Sequence, residues 1–498
     1  MRKVICSLIC CISFMSAIVS CSEGPLDGGN DSVNGGGSSG VGQESVHGPI
    51  TMQLSSVTAT TAVFTGSLDM NTAMLYTELG IIYSTDSALS QNNGTKVRIT
   101  ELINNKHFTQ SLTGLPHSSK IYYAPYYRTA AGLFVIGEVK SFDTPDPYVL
   151  AQRELDIELA KDLSITASAN TYVVSKSGLY KFRAVKGNSK TSVGNVCTGD
   201  ILWETFGTQT LPNPCDLITS ICYKDGYIAF QTNDTFKKGN AVVSAKDKQG
   251  NILWSWHLWF TDEPQEQVYF SGDVLMDRNL GATSFYKGDV CSLGLLYQWG
   301  RKDPFLNAGS ILNATPAAES TIIWPKPVKS DSEVGTIEYS VANPTTYIFA
   351  AGYDYDSGVS YTDWYFTRDG LVDNTRWGTM KTIYDPCPVG WKVPPGGEND
   401  VWERSSGISQ MKYTYDSRNL GMNFLNVFCS GSVWYPMTGQ RDYDSQYLNQ
   451  YGFDSGSYWT VTPYNEYAFA FTINTYDWVT SSSEACRAYG FSVRCQKE

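Results

Sequence analysis

Between residues 434 and 489 the chain places nine Tyr and three Trp among many Ser, Asn and Asp. Planar aromatics supply contact area with few rotatable bonds, and short polar side chains supply adaptable hydrogen bonds. The chemistry this favours is noncovalent recognition of a protein or sugar. Phe469, Phe471 and Ile473 alternate, as do Phe491 and Val493, which assigns them to buried strand faces. The residues without such periodicity are the candidate ligand-binding set: Trp434, Tyr435, Tyr443, Tyr447, Tyr451, Tyr464, Asn465, Tyr467, Asn474, Tyr476, Asp477 and Trp478.

Covalent chemistry finds less support. The four His are His47, His107, His117 and His257, so no histidine triad or histidine-based metal site lies in the last half. The carboxylate pairs Asp354/Asp356 and Asp442/Asp444 have the spacing that puts two side chains on one strand face. Solvated acids share that spacing, and the enzyme reading is set aside. No cofactor is implied. The formal charge of −12 argues against nucleic acid as a partner.

The elements that must position the aromatic tract begin with an export segment. Arg2-Lys3 precedes an apolar run from Val4 to Val19, too short for an ordinary membrane span. Its end, Ile18-Val19-Ser20-Cys21, resembles the lipobox of bacterial lipoproteins, which implies lipidation of Cys21 and an outer-membrane lipid anchor. Residues 22 to 47 are Gly, Ser, Asn and Asp with few large apolar side chains, the composition of a flexible linker.

Residues 48 to 146 read as a β-sandwich of short strands: 61 to 64, 80 to 83, 108 to 112, 121 to 127 and 137 to 142. Leu112-Thr113-Gly114-Leu115-Pro116, followed by Ile121-Tyr122-Tyr123, resembles the fibronectin type III pattern, with both tyrosines core or corner residues. Pro145 and Pro147 mark a boundary. A second β-sandwich-like domain is expected over 147 to 272. Its best hairpin runs from Ala241 through a turn at 248 to 251 into Ile252 to Phe260. Ile252, Trp254, Trp256, Leu258 and Phe260 would share one buried face, leaving Asn251, Ser255 and His257 to point outward.

The last domain, 273 to 498, carries ordered motifs: Met276-Asp277-Arg278-Asn279-Leu280-Gly281-Ala282, the run Gly294 to Phe305, Asp385 to Pro394, and Phe491-Ser492-Val493-Arg494-Cys495. Together these resemble the Fibrobacter major paralogous domain family of Bacteroides-type surface lipoproteins and fimbrillin-type pilus proteins. Asn170 to Ser175, Gly178 to Phe182 and Gly250 to Trp256 resemble the domain that often precedes it. The resemblance implies a mainly β, multidomain chain: β-sandwich modules of the fibronectin type III or immunoglobulin kind, then an α+β C-type-lectin-like domain. In that fold the chain ends meet, so Cys387 would pair with Cys495 and Cys429 with Cys486 inside the loop. Four cysteines allow three connectivities. Neither the oxidation chemistry of the formylglycine-generating relatives nor calcium-dependent sugar binding carries over, because the residues for each are not matched here.

The expected function is a cell-surface lipoprotein adhesin, exposed on the outer membrane or on pili. It would associate with pilus subunits and bind a protein or glycan ligand through its aromatic-rich head. The alternatives are a glycan-binding lipoprotein of a polysaccharide-uptake system and a hydrolase built on paired carboxylates.

Overall fold

The computed structural model describes residues 49–498 except 70, 72–75, 105, 117, 146–154, 308–317, 357, 398–399, 407–412, 445–454 and 477. The described residues fall in one unit, 48–498. Cys21 and the linker lie outside the described residues. Among the described residues no helix is long and apolar enough to cross a membrane.

The first strands are β1 (Ile50–Val57), β2 (Thr61–Leu68), β3 (Tyr76–Ser84), β4 (Thr95–Arg98), β5 (His107–Thr113), β6 (Lys120–Thr129), β7 (Phe134–Ile136) and β8 (Lys140–Asp143). They form two sheets, β1-β2-β5 and β4-β3-β6-β7 with β8 on β6. Alternation in β2 buries Ala62 and Phe64 against Ile81, Leu112 and Ile121, so the sheets face each other across one core. Tyr123 belongs to that core, its ring 4.8 Å from Phe64, while Tyr122 on the other strand face is half-buried. Burying a side chain such as Phe64 contributes roughly 1.5–3 kcal/mol.

A second pair of sheets uses β9 (Lys161–Asp162), β10 (Thr171–Val174), β11 (Leu179–Arg183), β12 (Thr198–Thr205), β13 (Ile218–Lys224), β14 (Tyr227–Thr232), β15 (Gly239–Lys246) and β16 (Ile252–Phe260). The orders are β10-β16-β15-β12 and β13-β14-β11-β9. The expected hairpin is present: Asp247 Oδ1 accepts from the amides of Gln249 and Asn251 at 2.9 Å each, closing the β15–β16 turn. Trp254, Trp256, Leu258 and Phe260 point into the core between the sheets.

The opposite face of β16 differs from expectation. His257 is 1% exposed, and Ser255 is buried with it. The second face of this sheet does not meet water. Trp203, Val242 and Trp259 project from it into a core shared with Met276, Leu280, Trp299 and Val393 of the C-terminal region. His257 Nε2 lies 2.9 Å from Asn240 Oδ1 and Nδ1 lies 3.2 Å from Thr171 Oγ1. Burial holds its pKa down at about 3, so the ring is neutral. Ser255 Oγ donates to Asp303 Oδ1 at 2.6 Å, and Lys302 Nζ reaches the same carboxylate at 2.6 Å. Period-two alternation identifies the two faces of a strand but not what covers the polar one.

The backbone itself crosses between these regions. Thr171 makes a parallel bridge with Pro388, and its Oγ1 donates to Pro386 O at 2.6 Å. Asn170 Nδ2 donates to the carbonyls of Ile383 and Asp385, at 2.7 and 2.9 Å. The described region is therefore a mainly β chain with two sandwiches, the second packed on both faces.

The C-terminal region contains β17 (Glu266–Val268), β18 (Val274–Met276), β19 (Tyr297–Gln298), β20 (Val328–Lys329), α1 (Ile337–Ala342), β21 (Ile348–Phe349), β22 (Gly352–Asp354) and β23 (Val359–Tyr361). Next come β24 (Trp391–Lys392), α2 (Val401–Ser406), β25 (Tyr413–Asp416), β26 (Gly421–Leu425) and β27 (Ser432–Pro436). The chain closes with β28 (Ser455–Tyr464), β29 (Tyr467–Asn474), β30 (Val479–Cys486), β31 (Gly490–Phe491) and β32 (Gln496–Lys497). The sheet β17-β18-β32-β24 ties the start of the region to its end, with Leu275 and Lys392 both opposite Gln496. Two meanders, β25-β26-β27 and β28-β29-β30, supply most of the remaining strand. Among the described residues of this region both α-helices have six residues; Thr336 caps the first by accepting from Tyr339 N at 3.1 Å.

Cys387 and Cys495 form a disulfide with Cα atoms 6.0 Å apart, clasping the two bracketing motifs. Cys429 and Cys486 are not paired, contrary to expectation. Cys429 joins the core around Tyr269 and Phe428, whereas Cys486 ends β30 beside Tyr467. The strand register, rather than the nesting of cysteines in sequence, decides which thiols meet.

The Tyr297 to Phe305 motif is internal wiring. Gln298 Nε2 donates to Ile348 O and Ala488 O at 2.7 and 2.8 Å, and Trp299 Nε1 to Thr460 O at 2.9 Å. Arg301, fully buried, donates to Gln298 Oε1 and Thr346 O. Gly300 sits at φ 78°, and a Cβ there would come within 2.7 Å of Arg376 Cβ, so only glycine fits.

Candidate functional site

The candidate residues divide by burial and by position. Tyr435 is 0% exposed. Its hydroxyl accepts from Trp402 Nε1 at 2.7 Å and shares a hydrogen bond with Tyr269 at 2.9 Å, while Arg494 lies 3.8 Å from its ring centroid. Trp434 is buried on the other face of β27, over Gly421, where an added Cβ would strike the indole. Both leave the surface set, because β27 is covered on both faces and periodicity cannot reveal that. Tyr447, Tyr451 and Asp477 lie outside the described residues.

The other seven fall at opposite ends of the β28-β29-β30 meander. Tyr443, Tyr464, Asn465 and Tyr467 gather at one end; Asn474, Tyr476 and Trp478 form the turn at the other. Eight-residue β29 separates the ends by roughly 23 Å at the usual strand rise. At the far turn Asn474 Oδ1 accepts from the amides of Tyr476 and Trp478 at 2.9 and 3.1 Å, so Asn474 is used in shaping the loop. Tyr476 is 81% exposed and Trp478 about half.

The near end is held by Arg487. Its guanidinium is fully buried, 4.3 Å from the centroid of Trp299. It donates to Tyr467 O at 3.0 Å, Asn465 O at 3.1 Å, Asp373 O at 3.1 Å and Asn374 Oδ1 at 2.5 Å. Burial lowers its pKa to about 10, which leaves it charged at neutral pH. Asp363 lies 3.8 Å away and is bonded directly by Arg376. Asn465 takes φ 49° at the tip, a left-handed conformation that Asn tolerates. Tyr464 stacks on Phe469 at 4.8 Å; Phe469 is half-buried, contrary to its expected alternation with Phe471, because the β29–β30 register shifts between Ala470 and Thr472.

Neighbouring segments join this end. Thr362 Oγ1 donates to Glu466 O at 2.7 Å, Ala350 N donates to Tyr443 O at 2.6 Å, and Tyr443 packs against Tyr489 at 4.8 Å. The β22–β23 hairpin is thereby brought alongside. It carries Tyr353 and Tyr355 as an edge-to-face pair at 5.0 Å, with Tyr355 90% exposed. Sequence reading missed both. Their signal was the i, i+2 tyrosine spacing followed by Asp356 and Gly358, a hairpin signature lying before the aromatic tract of 434 to 489.

The electrostatics favour hydrogen bonding over acid-base work. Burial, then the neighbouring Cys486, Asp444 and Asp442, raise the Tyr443 hydroxyl to about 12. Burial followed by Asp444 raises the Cys486 thiol to about 12. Tyr467 is raised by burial and then by Cys486, Glu466 and Glu484. These groups stay protonated near pH 7 as neutral donors. Asp354 serves its own turn, Oδ1 accepting from Asp356 N at 3.0 Å. Asp442 Oδ1 accepts from Tyr443 N at 3.0 Å. Among the described residues no cluster of three or more His, Cys, Asp or Glu is placed to hold a metal ion.

No family model and no curated protein matches the chain. Among solved structures, similarity extends to the FN1–FN3 domains of chicken CNTN1, at 9% identity over 46% of this chain and 74% of that one, with a TM-score of 0.18. A redesigned β-sandwich protein is similar at 17% identity over 20% of this chain and 97% of its own, TM-score 0.16. The sensor domain of the anti-sigma factor RsgI4 in Pseudobacteroides cellulosolvens is similar at 11% identity over 21% and 85%, TM-score 0.15.

Proposed function

We propose that this protein is a non-enzymatic surface adhesin, anchored in the outer membrane through a lipid on Cys21. It displays a C-type-lectin-like head of the Fibrobacter major paralogous kind, and it acts as a pilus tip component. The observation that carries the binding reading is the meander end where Tyr443, Tyr464, Asn465 and Tyr467 gather, to which Ala350 and Thr362, on either side of the hairpin with the exposed Tyr353 and Tyr355, are hydrogen-bonded. Aromatic faces and neutral hydroxyl donors on a pinned framework lower the ordering cost of binding. The carboxylates there shape their own turns, which favours binding over hydrolysis.

Glycan capture for a polysaccharide-uptake system uses the same surface and is the second reading, because sugar rings stack on exposed tyrosines. A combined glycan and protein array probed with the full chain, and with Tyr355→Ala and Tyr464→Ala variants of unchanged melting temperature, tests the binding claim. Signals that fall in the variants support it. Signals that persist place binding elsewhere.

A further inference from the structure

A second concave surface lies between the second sandwich and the C-terminal region, and none of the candidate tyrosines lines it. It is a groove of about 770 Å³ built from residues 164–168, 183–190, 380–390 and Glu498. No single stretch of sequence contains it; it exists because the sandwich and the C-terminal region are packed together.

Three cations face this groove in a chain whose net charge is −12. Arg183 and Lys190 are exposed, and among the described residues neither side chain has an ion-pair partner. Lys381 is largely buried at the base, donating to Pro388 O at 2.6 Å and to Glu498 Oε1 at 3.2 Å. Glu498 is the carboxylate that lines the groove, and it is engaged by Lys381. Asp385 sits buried behind Lys381, with its oxygens accepting from the amides of Cys387 and Val393. The accessible charge is therefore positive.

The remaining lining is hydroxylic and apolar. Ser164, Thr166, Ser168 and Ser189 line it, and Ile165 and Met380 stand almost fully exposed at its margin. Asn188 donates through Nδ2 to Thr382 O at 2.6 Å and Asp385 O at 3.2 Å, while its Oδ1 is buried without a hydrogen-bond partner. Cations call for an anion, a hydroxylic lining for hydrogen-bonding groups, and exposed apolar side chains for a C–H face. A sugar bearing acid groups supplies all three. An acidic peptide supplies the charge without the hydroxyls.

We propose that this groove binds an acidic oligosaccharide, with carboxylate or sulfate groups against Arg183 and Lys190 and ring hydroxyls along the Ser and Thr lining. The volume accommodates a short oligosaccharide rather than a single sugar.

The test is calorimetric titration of the full chain with oligogalacturonate, a sulfated heparin-derived tetrasaccharide, neutral maltotetraose and a hexaglutamate peptide. Binding of either acidic sugar, weakened by salt and by about tenfold in an Arg183→Ser/Lys190→Ser variant of unchanged melting temperature, supports the proposal. The two acidic sugars separate carboxylate from sulfate recognition. Equal binding of maltotetraose, tighter binding of the peptide, unaltered affinity in the variant, or no binding of either acidic sugar at millimolar concentration overturns it. Tyr464→Ala leaves this binding unchanged, so loss of the tyrosine-site ligand and loss of this one are separable.

Discussion

The guanidinium of Arg487 lies against the ring of Trp299 and holds the carbonyls of Asn465 and Tyr467 at the hairpin tip. A motif buried in the core thus fixes the backbone of residues proposed to touch ligand. Arg487→Leu leaves Asp373 O, Asn374 and two tip carbonyls short of a donor and removes the charge beside Asp363. Breaking a buried charged network of this kind costs about 3–5 kcal/mol. Chemical denaturation should show that loss, and hydrogen exchange should accelerate at 464–467 more than at 474–479. Uniform acceleration would mean that Arg487 supports global stability only.

The Cys387–Cys495 pair closes a loop of 108 residues and joins the motifs that bracket the aromatic tract. The chain-entropy account values such a closure at roughly 4–5 kcal/mol. Peptide mapping of the oxidised protein should recover Cys387 linked to Cys495, with Cys429 and Cys486 labelled as thiols after unfolding. Replacing the linked pair by serine should lower the unfolding free energy by about 2–5 kcal/mol. Recovery of a Cys429–Cys486 link would contradict the strand register described here.

The second sandwich and the C-terminal region share one core, with Trp203 and Trp259 packed among Met276, Leu280 and Trp299. An isolated 273–498 fragment would expose the apolar surface that those tryptophans cover. It should express poorly or bind hydrophobic dyes, while a 155–498 fragment should unfold in a single transition. Two separated calorimetric transitions in the longer fragment would refute the shared core. Thr171→Val, which deprives Pro386 O of its 2.6 Å donor, should cost about 1–3 kcal/mol.

Opposing titrations meet at the same contact. Burial raises Asp385 to about 6, against the favourable pull of Lys381 and its backbone donors, and burial likewise raises Asp400 to about 6. Between the unfolded carboxylate value near 4 and pH 6 the native state holds these protons more tightly, so stability rises as pH falls through that window. His257, held down at about 3, acts in the reverse sense: the unfolded chain takes up the proton first, and stability falls as pH drops below about 6.5. Asp385→Asn should steepen the loss of stability between pH 6 and 4, and His257→Gln should lessen it, each by on the order of 1 kcal/mol per pH unit relative to the parent. Parallel stability–pH curves for parent and variants would show that neither group is as deeply buried as described.

Strand content and the hairpin at Asp247 were legible because alternation and turn residues are local signals. So was the buried face of Trp254, Trp256 and Leu258. What escaped was second-face burial: His257, Ser255, Tyr435 and Trp434 are all covered by elements distant in sequence, and no period distinguishes polar-and-solvated from polar-and-paired. The candidate surface was half-legible for a related reason. Composition marked the tyrosines between 434 and 489, yet β29 sends them to two ends of one sheet, and hydrogen bonds from Thr362 and Ala350 bring in Tyr353 and Tyr355 from outside the tract. The cationic groove had no sequence signature, since Arg183, Lys190 and Lys381 meet only through tertiary packing.

The central claim is that ligand is recognised at the end pinned by Arg487. Surface plasmon resonance of the full chain against the strongest array ligand should compare a Tyr353→Ala/Tyr355→Ala/Tyr464→Ala variant with a Tyr476→Ala/Trp478→Ala variant, both checked for unchanged melting temperature. The account predicts at least about a tenfold loss of affinity in the first and near-parent affinity in the second. Parent-like affinity in the first variant, or a loss confined to the second, would contradict it.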